Sequence, residues 1–368
     1  MIPSPSLIGQ PLSALDTPAL VVDMAIMARN LARIADTCRA AGVQWRPHCK
    51  THKSPDIARL QLANGACGIT CAKLAEAEVM AAAGITDILI ANQIVGPLKT
   101  ARLMALRRSG AVVAVAVDGA DNVLELARAA DLAGVSLEVM IEVDTGTRRA
   151  GVAPGQPVLA LARVIAGHPS LRLRGMMTWE GHTTRIADAR EKQAAIAASV
   201  GLLTDSAELC RRHGIAIAVV SCGGTGTYQS AAALPGVTEI QAGGGIFGDV
   251  HYRELYHVPL EYGLTLLTTV TSRPTPTRII CDAGKKALSS DAGMPIPLAL
   301  PPVDSVGFSA EHGKVELKEP CPLPRVGDRL RWVVGYGDTT VHLHDRIYGA
   351  RDGVIAAEWP IPIQSRLR

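Results

Sequence analysis

Between about residues 17 and 248 the chain repeats one pattern, a short apolar, β-branched run followed by a stretch rich in Ala, Leu, Glu and Arg. The apolar runs fall at 43–45, 68–72, 87–91, 112–117, 137–142, 171–178, 215–221 and 237–241, eight in all. They are continuous rather than alternating, which marks strands of a parallel sheet covered on both faces. The intervening stretches read as helices. Gly84 follows 74–83 and Gly134 follows 120–133, each placed to end its helix in the left-handed conformation. Eight strand–helix units imply a closed (β/α)8 barrel of the TIM type, with a doubly wound open sheet as the alternative.

After residue 248 the rhythm changes. Short β-like runs at 264–273, 278–282, 303–308, 314–316, 329–334 and 347–351 are separated by turns such as Pro274-Thr275-Pro276 and Pro320-Cys321-Pro322. The expectation is an α/β protein with a barrel over residues 14–254. A mostly antiparallel β domain over 255–368 would follow, with residues 1–13 packing on it. A net charge of +3 gives no argument for nucleic acid, and two Phe with six Tyr supply no base-stacking platform. No apolar run approaches a membrane span, the first residues lack a signal-peptide pattern, and the eight Cys are scattered, so a cytoplasmic location with reduced thiols is expected.

The densest chemistry is Arg46-Pro47-His48-Cys49-Lys50-Thr51-His52-Lys53, three formal positive charges and two imidazoles at the end of the first strand. Lys50 and Lys53 cannot both be buried ammonium groups without large desolvation costs, so one is solvated and the other anion-paired or partly deprotonated. A deprotonated lysine is a nucleophile suited to a Schiff base with a carbonyl, pyridoxal phosphate (PLP) above all. A basic, solvated strand end is the plainer alternative.

Barrels of this type carry their chemistry at the strand carboxyl ends, and commonly bind phosphate after strands seven and eight. There the chain places Ser221-Cys222-Gly223-Gly224-Thr225-Gly226-Thr227 and Gln241-Ala242-Gly243-Gly244-Gly245. Glycine lets backbone N–H groups converge on phosphate oxygens, and the threonines add hydroxyls. Strand five ends in Glu142-Val143-Asp144-Thr145-Gly146-Thr147-Arg148-Arg149, which sets a carboxylate and an arginine at the same mouth.

These stretches, with Asp16-Thr17-Pro18-Ala19-Leu20-Val21-Val22-Asp23, Asp282-Ala283-Gly284 and Glu311-His312-Gly313, give the chain a family resemblance. It resembles the fold-type III PLP enzymes with an alanine racemase-like barrel, in particular their D-threonine aldolase and D-serine dehydratase branch. The resemblance implies that Lys50, and not Lys53, holds PLP, that Arg149 faces the pyridine nitrogen, and that Gly223, Gly224, Thr225, Gly226, Gly243 and Gly244 serve the phosphate. It implies a homodimer acting on a small amino acid, with no nucleic-acid or membrane partner. It also implies a divalent metal (Mg, Mn or Zn) held by a His and, two residues on, an Asp or Cys. Asp338 keeps the second position, but Tyr336 stands at the first. Either the metal is lost, or Asp338 joins Glu180 or His182 in a rearranged oxygen-rich site. His342 and His344 would alternate with Asp338 on a strand, and the family pattern makes His344 structural.

The function so implied is a PLP-dependent lyase cleaving D-β-hydroxy-α-amino acids to glycine and an aldehyde, with Lys50, Glu180 and His182 as catalytic residues. Elimination of the D-serine or D-hydroxyaspartate dehydratase kind, and racemisation, are the alternatives. The second domain argues against a non-catalytic PLP-binding protein.

Overall fold

A computed structural model describes residues 6–362. The chain divides into two compact units, one from Ala32 to Gly243 and one formed by the residues up to Leu31 together with those from Gly244 on.

The first of these units is built on eight strands: Gln44–Trp45, Ile69–Cys71, Asp87–Gln93, Val112–Val117, Leu137–Glu142, Leu171–Met177, Val219–Cys222 and Glu239–Ile240. All pairings are parallel, each strand lies beside its sequence neighbour, and Gln44–Trp45 pairs with Glu239–Ile240. The remaining gap is bridged just beyond the first strand, where Thr70 N donates to Pro47 O at 2.9 Å and Cys49 N to Thr70 O at 2.8 Å. The sheet therefore closes as a barrel. Leu89, Ala114, Ala116, Met140 and Met177 form one buried cluster, while their neighbours Ile88, Ile90, Val113, Val115, Val139 and Ile141 are fully buried on the opposite face. Burial of both faces is what the uninterrupted apolar runs require. Helices end as expected: Ala120–Ala133 stops at Gly134 with φ 64°, and Gly84, φ 85°, lies just past Leu74–Ala82.

The other unit holds a mixed, mostly antiparallel sheet in the order Val303–Phe308, Gly313–Leu317, Arg278–Cys281, Leu264–Ser272, Ala19–Asp23, Arg346–Arg351, Val354–Pro360. Arg329–Val333 adds to Leu264–Ser272, and Ile296–Pro297 to Arg329–Val333. Ala19–Asp23 differs from the expected barrel boundary at residue 14. It is a central strand, antiparallel to Leu264–Ser272 and parallel to Arg346–Arg351, and four of its five residues are buried. Gly244 onward likewise belongs here and not to the barrel, eleven residues before the expected start at 255. Upstream of that strand, Gly9 N donates to Ile355 O and Leu12 N to Gly353 O, so this part of the chain start lies on the sheet edge; residues 1–5 fall outside the described range.

Candidate active site

The turn that follows the first barrel strand resolves the question of the two lysines. Lys53 N donates to Cys49 O at 2.8 Å, closing a tight turn around Lys50, and Lys53 itself takes φ 50°, a conformation costly for a residue with a Cβ. Its ammonium is buried and ion-paired with Glu76, which is wholly inaccessible. The second Glu76 oxygen accepts Ala72 N at 2.6 Å, just past the end of the neighbouring strand. Lys53 is therefore the anion-paired lysine, and Lys50 is half-buried with its N–H donating to His48 Nδ1 at 3.2 Å. His52 Nδ1 accepts Ser54 N, so its Nε2 carries the proton donated to Gln61. Nothing in the sequence singled out Glu76, which sits inside an ordinary helical run.

Beside this pair the Cys49 and Cys71 sulfurs lie 3.6 Å apart, and with Glu76 they are the one cluster of three metal-capable side chains among the described residues. Burial pushes the Cys71 thiol well up, and the Lys53 ammonium already occupies Glu76. The cluster suits a protonated Cys71 thiol beside an ion pair, not a metal.

After the seventh strand, Gly223 takes φ 74° and a Cβ there would fall 2.6 Å from Ile240, while a Cβ on Gly224 would fall 2.2 Å from the Trp179 ring. Only glycine fits either position. Thr227 N and Tyr228 N both donate to Gly224 O, folding the turn back on itself, and Thr225, Gly226 and Thr227 are buried. The buried Gly226 N–H has no acceptor among the described residues. Such a donor calls for an anion or water, so the donor set fits a phosphate. Gly243 packs its Cα on the His48 backbone, where a Cβ would meet His48 O at 2.1 Å. Gly244 opens the second segment of the other unit.

Of Glu180 and His182, both expected as catalytic residues, Glu180 directly precedes the short turn Gly181–Thr183 and His182 lies within it. Glu180 is wholly buried, its carboxylate accepting the Thr227 hydroxyl and, at 3.4 Å, Gly223 N. Both its oxygens thus face the glycine turn, and none of its surface reaches solvent. His182 is exposed, its ring against Gly146 and its Nδ1 3.5 Å from the Thr147 hydroxyl. Arg149 reaches back to Glu142 at 3.4 Å with 60% of its side chain exposed, and Glu142 also accepts Gln93 Nε2 at 2.7 Å. Asp144 shapes this loop. It accepts Arg148 N and Gly146 N, both at 3.0 Å, which hold its carboxyl below the usual range.

In the other unit Tyr336 OH donates to Asp338 Oδ2 at 2.9 Å. Asp249 accepts Tyr252 N and Gly337 N, one on each oxygen, and His251 directs Nδ1 to Ala292 O at 2.6 Å. The rings of Tyr256 and Tyr336 flank His251 at 4.2 and 4.3 Å. Burial, then Asp338, pushes the Tyr252 phenol well up. A carboxylate engaged by a phenol, with no imidazole two residues before it, does not fit the divalent metal that the family pattern implies. Residues 337–343 are helical turns, not the strand expected for the Asp338–His344 alternation, and His344 Nε2 is spent on Ala287 O at 2.8 Å.

Fold and site together define an α/β-barrel enzyme with a lysine at the carboxyl end of the first strand and a glycine turn after the seventh. Residues 22–251 match the alanine racemase N-terminal domain, and residues 263–350 match the putative serine dehydratase domain. The chain belongs to the alanine racemase-like family carrying this second domain, and it is a lyase. It is 38% identical to a D-threonine aldolase of Arthrobacter sp over 98% of this chain and 96% of that protein. It is 33% identical to a 3-hydroxy-D-aspartate aldolase of Paracoccus denitrificans over 98% and 95%. The crystal structure of the D-threonine aldolase from Filomicrobium marinum superposes with a TM-score of 0.95 at 33% identity, covering 100% of both chains.

Proposed function

We propose that this lyase uses PLP to cleave D-β-hydroxy-α-amino acids between Cα and Cβ, giving glycine and an aldehyde. The observation that carries the reading is the anchored turn presenting Lys50, in a chain aligned almost end to end with a D-threonine aldolase. When bound, PLP supplies a carbonyl for amines and a conjugated ring that accepts the electron pair left by a breaking bond to Cα. Lys50 is the amine that holds it. Gly226 N–H and the hydroxyl of Thr225 would take the phosphate, in a turn whose shape Gly223 and Gly224 permit, with Gly243 following the eighth strand against the His48 backbone. Arg149 would face the pyridine nitrogen and, as a permanent cation, would leave it unprotonated. His182, the exposed imidazole at the end of the sixth strand, takes the proton from the substrate β-hydroxyl as Cα–Cβ breaks, and Cα is then reprotonated.

No helix among the described residues is long and apolar enough to cross a membrane, and none of the eight thiols is in a disulfide. Both facts suit the proposed cytoplasmic setting, and the same reading takes the chain as a homodimer acting on a small amino acid. Elimination is the second reading, favoured by the serine dehydratase match over 263–350. Borohydride reduction in the presence of PLP, followed by peptide mapping, tests the site: the pyridoxyl group is expected on Lys50. Labelling of Lys53 instead overturns the assignment.

A further inference from the structure

We propose that Glu180 is the internal buttress of the phosphate-binding turn, a positioning residue that holds Gly223–Thr227 in shape and takes up a proton when a phosphate occupies that turn. The inference rests on the reading of the turn as the cofactor's phosphate site and deepens it.

Glu180 lies inside the barrel unit with no exposed surface, and apart from its own N–H the donors to its carboxylate come from one short segment. The Thr227 hydroxyl and the N–H groups of Gly223 and Gly224 are drawn to its carboxylate. Those donors are thereby committed inward, and the Gly226 N–H is the one left without an acceptor. Trp179, the preceding residue, presses its ring on Gly224, so strand end and turn are keyed together by two consecutive side chains. Truncating Glu180 would strip the buried Gly223 N–H and Thr227 hydroxyl of their carboxylate acceptor in the segment that must stay fixed.

The charge state follows from the same geometry. Burial pushes the Glu180 carboxyl up, and no cationic side chain is among the groups that offset it. The titratable group acting on it from the seventh strand is Cys222, whose thiol is pushed up by burial and then by Glu180 and Glu239. Glu239 is neutralised by Arg46 at 2.7 Å, and His182 turns away to Gly146. A phosphate ester brings about 1.5 to 2 further negative charges to donors on the same turn. Two anions so close cannot both keep their charge cheaply, and the one that can accept a proton in place is the carboxylate. Thr227, a hydroxyl able to accept as well as donate, then receives the acid proton.

The test uses pyridoxine 5′-phosphate, which carries the phosphate but no aldehyde, titrated into the cofactor-stripped full chain. Above about pH 7 the ligand phosphate is almost wholly dianionic and contributes little slope of its own. Wild-type Kd is expected to rise by up to about tenfold per pH unit relative to Glu180→Gln, and calorimetry in two buffers should register about one proton taken up by wild type and none by the variant. Glu180→Asp should retain the uptake with weaker binding, which separates this role from a fold defect. Equal pH slopes in wild type and Glu180→Gln overturn the inference while leaving the phosphate site standing. Unaltered ligand binding and pH slope with turnover abolished in Glu180→Gln would make Glu180 a catalytic base instead. Failure of wild type itself to bind the ligand overturns the phosphate reading and the inference with it.

Discussion

Replacing Glu76 with Gln should destabilise the barrel unit severely while changing almost no volume. Lys53 is 8% exposed and Glu76 0%, so the variant leaves an ammonium facing a neutral amide inside the protein. The Ala72 N–H keeps an acceptor, because the amide oxygen can take the place of the carboxylate oxygen that receives it at 2.6 Å. What is lost is therefore the charge pairing. Removing one partner of a buried pair costs about 3–5 kcal/mol, the penalty of an uncompensated buried charge. For a unit spanning Ala32–Gly243 that is a fall in Tm of about 6–20 °C, at about 2–4 °C per kcal/mol. Thermal and guanidinium unfolding followed by circular dichroism measure it. The double variant Lys53→Met with Glu76→Gln should recover much of the loss, since neither charge is then stranded. A loss below about 1 kcal/mol for Glu76→Gln, or strict additivity in the double variant, would refute the reasoning.

Tyr336→His should create a divalent-cation site with Asp338, read as Mn²⁺ binding by electron paramagnetic resonance in the variant and none in wild type; equal binding by both would refute the loss of the site. His344 is held neutral by burial, its pKa lowered from 6.5, so the unfolded chain takes up this proton first. Its contribution is thus complete above pH 6.5 and is lost as pH falls from there through the lower folded value. His344→Gln should flatten the stability profile in that window, as followed by unfolding midpoints.

The barrel was legible because its central strands are buried on both faces, and such strands cannot hide: 112–117 and 137–142 stand in the sequence with the limits they have in the fold. Ala19–Asp23 was not assigned to the β domain because its partners begin at Leu264 and Arg346, and pairing over such separations leaves no local trace. The same holds for Val354–Pro360 and Ile296–Pro297, too short or too irregular to carry a period. At the site, the two lysines could be seen to conflict, but which was paired depended on Glu76 arriving from a helix more than twenty residues on. Glu180 and His182 look equivalent in sequence. A short helical turn begins directly after Glu180 and sends one inward and the other to solvent, a distinction no spacing rule contains.

The central claim is tested most directly by product analysis on D-threonine. The PLP-loaded chain is incubated with D-threonine, and glycine, acetaldehyde, 2-oxobutanoate and L-allothreonine are quantified together, with L-threonine and a Lys50→Ala variant run in parallel. The account predicts glycine and acetaldehyde in equal amounts from D-threonine, and neither from L-threonine nor from the variant. Keto acid with ammonia and no glycine, or inversion at Cα without cleavage, would contradict it.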